Sequence, residues 1–220
     1  MPNTNQPVAV LNPQASVGPM ADSRSYFTNL SRALSTMPHT KVEQVAEKLH
    51  YAYEEGRKVL VFGNGGSASL ASHFATDLCK GTAMSGNPNK RFKVISLTDN
   101  VPLLTAWAND TSYDQVFAEQ IRTFIAAGDI AFAISGSGNS PNVLHGLQAA
   151  REAGAFTIGL GGFQGGKMKP MCDLSVIIPS DNMQIIEDVH TSVTHALFTL
   201  VRHRIEVKAS TSQVMAVGAR

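Results

Sequence analysis

Two side chains able to move a proton or hold a metal, His73 and Asp77, stand four residues apart in the segment SHFATDL. At that spacing they stack on one face of a helix. The residues leading into them, VLVFGNGGSASLA from Val59, run from four apolar positions into Gly63, Gly65 and Gly66 and then Ser67 and Ser69. That order reads as strand, glycine turn and helix start. Glycines let backbone approach a ligand closely, and a helix start presents unpaired N–H groups with partial positive charge, which suits phosphate. A second unit of the same kind follows: the apolar run Ile130 to Ile134 enters SGSGNSPNV, where Ser135, Ser137 and Ser140 alternate with Gly136 and Gly138. Ser140 followed by Pro141 is a favourable helix start. The loop lacks the lysine of a P-loop, so a phosphomonoester suits it better than a nucleoside triphosphate. Asp99 stands just past the carboxyl end of another expected strand, where ligands gather in open parallel sheets, and capping of the helix near Pro102 accounts for it equally well. Glu187, His190, His195 and His203 lie on the last expected helix.

Plainer readings compete. A glycine turn between strand and helix can exist for packing alone, and Gly63, Gly65 and Ala68 match the loose dinucleotide fingerprint G-x-G-x-x-A. No acidic residue follows about 20 positions on to take a ribose hydroxyl, which argues against a dinucleotide. Serine-rich loops are often simple turns. Two such strand-loop-helix units in one sheet favour phosphate.

These groups need a scaffold, and the chain supplies alternating strands and helices. Expected strands are Val59 to Phe62, Phe92 to Leu97, Ile130 to Ile134, Ala155 to Leu160 and Leu174 to Ile178, predominantly apolar runs as in buried parallel strands. A doubly wound, five-stranded parallel α/β sheet with helices on both faces is predicted. Ahead of it, Ser23 to Tyr53 carries apolar residues at helical spacing with a break at Met37-Pro38, so two helices form an N-terminal extension whose stripe needs a partner surface. Residues 1–21 read as a disordered arm, residues 22–206 as one domain ending in a helix near Glu206, and residues 207–220 as a mobile tail. Trp107 is expected in the core.

Composition narrows the function classes. Net charge is +1 with 16% charged residues and no long basic run, so nucleic acid is not the expected partner. No run of 18 apolar residues and no export leader are visible, so a cytoplasmic, membrane-free protein is expected. The two cysteines, Cys79 and Cys172, lack metal spacing and read as reduced thiols.

Taken together, GNGGSA, SHFATDL, SLTDN, WAND, SGSGNS and IIEDVH resemble the sugar isomerase (SIS) family and, within it, the phosphoheptose isomerases, over Ser23 to Ile205. The resemblance implies conversion of sedoheptulose 7-phosphate to D-glycero-D-manno-heptose 7-phosphate through an enediol, the first step of nucleotide-activated heptose biosynthesis. It also implies a homotetramer, catalysis by Asp77 and His195 and, as in some relatives, one Zn²⁺ per subunit held by His73, Asp77, Glu187 and His195, the alternative being a hydrogen-bonded acid/base cluster of the same four residues without metal. Substrate contacts are implied at Asn64, Gly65, Gly66, Ser67, Asp99, Asn109, Asp110, Ser135, Gly136, Ser137, Ser140 and Glu187. Asp77 stands where a glutamate is usual and Glu187 where a glutamine is usual. The shorter Asp77 withdraws its carboxylate by about one methylene, and reactive geometry is sensitive to about 1 Å. Glu187 and His195 are eight residues apart, about 12 Å along a helix, so sharing one ion requires both to reach. Related sugar isomerase folds also serve as non-catalytic regulators, including one that associates with a replication initiator, or act on other sugar phosphates; retention of the four-residue set favours an enzyme.

Overall fold

The computed structural model describes residues 22–85 and 89–218; the expected N-terminal arm lies outside the described residues. Helix α1, Ser23–Thr36, is started by Asp22, whose carboxylate accepts the Ser25 amide at 2.7 Å. It stops at Met37, which is extended because the following proline disfavours helical backbone there. Helix α2, His39–Glu54, resumes immediately. The two helices expected from the sequence are therefore present.

Five strands follow: β1 (Lys58–Gly63), β2 (Lys93–Ser96), β3 (Ile130–Ser135), β4 (Phe156–Gly161) and β5 (Leu174–Ile177). Helices α3 (Gly66–Thr76), α4 (Val101–Asp110), α5 (Val116–Phe124), α6 (Pro141–Glu152) and α7 (Met183–Gly218) complete the element order. All strand pairs are parallel, in the order β2-β1-β3-β4-β5. Along β1, Val59 and Val61 enter one apolar layer with α2, α3 and α7, whereas Leu60 and Phe62 enter the other with α5 and α6. Burial on both faces is why the central strands β1, β3 and β4 read as near-continuous apolar runs, whereas the edge strand β2 alternates and exposes Lys93 and Ile95.

Three boundaries differ from expectation. The sequence from Tyr113 to Ala126 reads as one helix, but it begins as a short 3₁₀ turn, Tyr113–Gln115, before α5. It ends at Phe124 because Ile125 turns extended and the Asp129 carboxylate takes the Ala126 amide at 2.8 Å. Helix α7 continues past Glu206, where Lys208 Nζ meets the Glu54 carboxylate at 3.0 Å and the Ser210 and Thr211 hydroxyls donate to carbonyls one turn back. Trp107 is half-buried against the α5–α6 layer.

Helix α2 uses its own stripe inside the chain: Val42, Val45, Ala46, Leu49, Ala52 and Tyr53 are all buried. Helix α1 buries only Ala33 and leaves Phe27 64% exposed. Helix α2 leaves only Tyr51, 51% exposed, among its large apolar side chains in solvent, so the larger unsatisfied apolar surface of the helical extension is at Phe27 on α1.

Candidate active site

Strand order decides where the site forms. The segment after β1 covers one face of the sheet and the segments after β2 and β3 the other, so the chain reverses between β1 and β3, and the loops beyond their carboxyl ends diverge there to leave a crevice. Those loops are GNGGS and SGSGNS. Gly63 is a packing requirement, since a Cβ there would sit 2.5 Å from the Ile134 carbonyl oxygen. Gly65 has φ +55°, left-handed backbone that favours glycine, and it caps α3. At Gly66 a Cβ would come within 3.2 Å of the Glu187 carboxylate, so the missing side chain brings α7 against the start of α3.

Further along the same two helices, three ionisable groups converge. His73 Nε2 lies 3.1 Å from His195 Nε2 and 3.3 Å from Asp77 Oδ2, and the His195 Nε2 to Asp77 Oδ2 distance is 4.0 Å. Asp77 stands where α3 widens into a single π turn, Asp77–Gly81. Both imidazoles are more than half exposed. Two ring nitrogens facing each other need either a proton between them or a shared cation. Zinc bonds of about 2.0–2.2 Å in tetrahedral geometry separate ligands by about 3.3 Å, close to the spacings present. His73, Asp77 and His195 therefore fit a metal.

The fourth expected ligand, Glu187, does not join them. Helices α3 and α7 meet at two levels: Gly66 with Glu187, then, seven residues on along α3 and eight along α7, His73 with His195. Two helical turns separate the levels, which is why one carboxylate cannot serve both.

The remaining expected site residues divide. Ser135 is buried and accepts the Gly138 amide at 3.2 Å, and Ser137 accepts the Asn139 amide at 3.3 Å. Ser140 occupies the cap of α6, yet its hydroxyl makes no capping bond, which leaves it available to a ligand. A Cβ at Gly136 would meet Met183 Sδ at 2.5 Å, so the loop touches the start of α7. The glycine-rich stretch after β4 lies against the same loop: the Gly162 amide donates to the Gly136 carbonyl at 2.9 Å and the Met168 amide to Gly138 at 2.9 Å. Asp99 does not cap α4; Asn100 does, accepting the Leu103 amide at 3.2 Å. Asp99 instead accepts the Ser72 hydroxyl, next to His73. Asn109 and Asp110 are exposed and bonded to each other at the far end of α4, about 13 Å along the axis from its start, so this chain does not bring them to the cluster.

Sequence reasoning assigned no role to Asn142, Ser72, His190 and Tyr113. Asn142 is 2% exposed and exchanges amide hydrogen bonds of 2.8 and 2.9 Å with Asn64, which also accepts the Tyr113 hydroxyl at 3.0 Å. Ser72 anchors Asp99 within a hydroxyl group that includes Ser96 and Thr98. His190 is 1% exposed and hydrogen-bonded through Nε2 to the Gly161 carbonyl at 3.1 Å. The usable signal for His190 was its place among Ile186, Val193 and Leu197 on the buried stripe of α7. Tyr113 carries no local sequence signal.

The SIS domain family model matches residues 24–162. A probable phosphoheptose isomerase from Thermoplasma acidophilum is 37% identical over 180 residues, covering 82% of this chain and 97% of that relative. The chain belongs to the phosphoheptose isomerase family. Two solved structures agree with this membership. The family member from Neisseria gonorrhoeae is 31% identical with a TM-score of 0.74, covering 81% of this chain and 95% of its own. That from Francisella tularensis is 30% identical with a TM-score of 0.75, covering 82% and 96%.

Proposed function

We propose that the protein is an aldose-ketose isomerase that converts sedoheptulose 7-phosphate to D-glycero-D-manno-heptose 7-phosphate. The reading is carried by the His73, Asp77 and His195 cluster on helices that start or pass beside two glycine-serine loops. Family membership supports the substrate. Isomerisation removes a proton from C1 of the ketose as O2 gains one, giving an enediol; a proton then returns to C2 as O1 loses one. Asp77 removes the C1 proton, and His195, adjacent to it, carries protons to and from the oxygens. Ser137, Ser140 and the loop amides hold the phosphate, which fixes the reacting carbons relative to Asp77.

His73, Asp77 and His195 would hold the zinc, three protein ligands being the number a catalytic zinc uses. When bound, it supplies Lewis-acid stabilisation of the developing oxygen charge. Among the described residues no helix is long and apolar enough to cross a membrane. A homotetramer in the cytoplasm is part of the same proposal, with exposed Phe27 on α1 as its supporting feature.

Turnover of a panel of ketose phosphates, with and without chelator, tests the reading. Sedoheptulose 7-phosphate should be the best substrate, chelator should abolish turnover and zinc should restore it. Full activity of protein shown to be metal-free by elemental analysis would remove the zinc, and binding without turnover of any ketose phosphate would remove the isomerase.

A further inference from the structure

Where Gly66 meets Glu187, helices α3 and α7 border a pocket of ≈ 180 Å³ whose lining includes Gly66, Ser67, Glu187, Asp188, His190 and Thr191. Its chemistry differs from the metal-fitting cluster two turns away. His190 donates Nε2–H to the Gly161 carbonyl, because a carbonyl can only accept, so the neutral ring carries a lone pair on Nδ1. That Nδ1 is buried with no partner among the described residues. Burial also lowers the His190 pKa to about 4, so the ring stays an acceptor near neutrality. An unmet buried acceptor is costly, which makes it a pointer to a missing donor. The Glu187 carboxylate on the same wall also only accepts, and Ser67 brings a hydroxyl. A wall rich in acceptors matches a chain of hydroxyl groups.

We infer that this pocket receives hydroxyls of the sugar chain, one of which donates to His190 Nδ1, making His190 a substrate-binding residue. The inference deepens the isomerase reading and rests on it for the identity of the sugar. It also gives the second end of the ring a purpose: the Nε2 bond holds Gly161, whose neighbour Gly162 is tied to Gly136 in the serine loop, so one imidazole links the hydroxyl pocket to the phosphate loop.

Two variants of the full chain separate the two ring nitrogens. His190→Gln keeps a donor near the Nε2 position and loses the acceptor at Nδ1; His190→Asn keeps an acceptor near Nδ1 and cannot reach Gly161. With sedoheptulose 7-phosphate, His190→Gln should raise KM about five- to ten-fold with kcat within about two-fold, the loss of one hydrogen bond. His190→Asn should lower the thermal midpoint yet keep KM within about two-fold. Calorimetry with inorganic phosphate, which has no sugar chain, should give equal affinity for parent and His190→Gln, because the phosphate loop is undisturbed. An unchanged KM in His190→Gln would mean that Nδ1 holds water only and would overturn the inference, as would a matching loss of phosphate affinity. If the parent fails to turn over sedoheptulose 7-phosphate, the isomerase reading fails separately, and calorimetric binding of the same sugar phosphate to parent and His190→Gln decides this one: equal affinities, or no binding to the parent, overturn it.

Discussion

At the scale of single residues, the site joins three ionisable groups whose reach is short and whose substitution should be decisive. Asp77→Asn keeps the size of the side chain and removes its basicity, so kcat should fall by about 10²-fold or more while circular dichroism stays unchanged, the usual contribution of a general base. His73→Ala should lower zinc content measured by elemental analysis, since it deletes the group in contact with both other members of the cluster. His190 carries a pH dependence of a different kind. Its pKa is lowered from 6.5 to about 4 by burial, so at pH values between these the unfolded chain binds a proton that the native state does not. The stability it confers is complete above about pH 6.5 and is lost as pH falls through 4. Thermal midpoints of the parent should therefore drop more steeply over that window than those of His190→Gln.

At the scale of elements, the reciprocal Asn64–Asn142 pair joins the loop after β1 to the first turn of α6, and so sets the distance between the two ligand-facing loops. Asn142→Ala should destabilise the protein by about 1–3 kcal/mol, because partner groups on Asn64 lose their bonds in a part-buried site. A double-mutant cycle with Asn64→Ala should give a coupling of about 0.5–3 kcal/mol; strict additivity would show that the loops are held by something else. Ser137→Ala and Ser140→Ala act within one loop. Each removes a charge-assisted bond worth about 1.5–3 kcal/mol, so KM should rise well before kcat changes, and unchanged binding of sugar phosphate would dismiss the phosphate assignment.

At the scale of the whole molecule, the two N-terminal helices have separate tasks. Helix α2 is consumed by the chain's own core, whereas α1 leaves Phe27 in solvent and is tied to α7 by the Tyr26 hydroxyl, which donates to Asp188 at 2.6 Å. Light scattering should report an oligomer at micromolar concentration, and Phe27→Glu should shift it toward smaller species, because a charge on an exposed apolar contact opposes association. A stable monomer in the parent would remove the tetramer.

The sequence by itself determined the fold class and the loops. Apolar runs entering Gly63 and Ser135 are local signals, because a buried parallel strand, a turn and a helix start each impose composition over a few adjacent residues. The i,i+4 pairing of His73 and Asp77 was legible for the same reason. Which distant group completes that pair was settled only by tertiary structure, since it depends on the offset between α3 and α7: Gly66 admits the Glu187 carboxylate at one level, and His195 consequently meets His73 two turns further on. The partners of Asn64 likewise follow from the adjacency of β1 and β3, which juxtaposes residues 78 positions apart. His190 could be read as a polar residue on an apolar stripe, but its unmet nitrogen exists only because packing around it excludes every protein donor among the described residues.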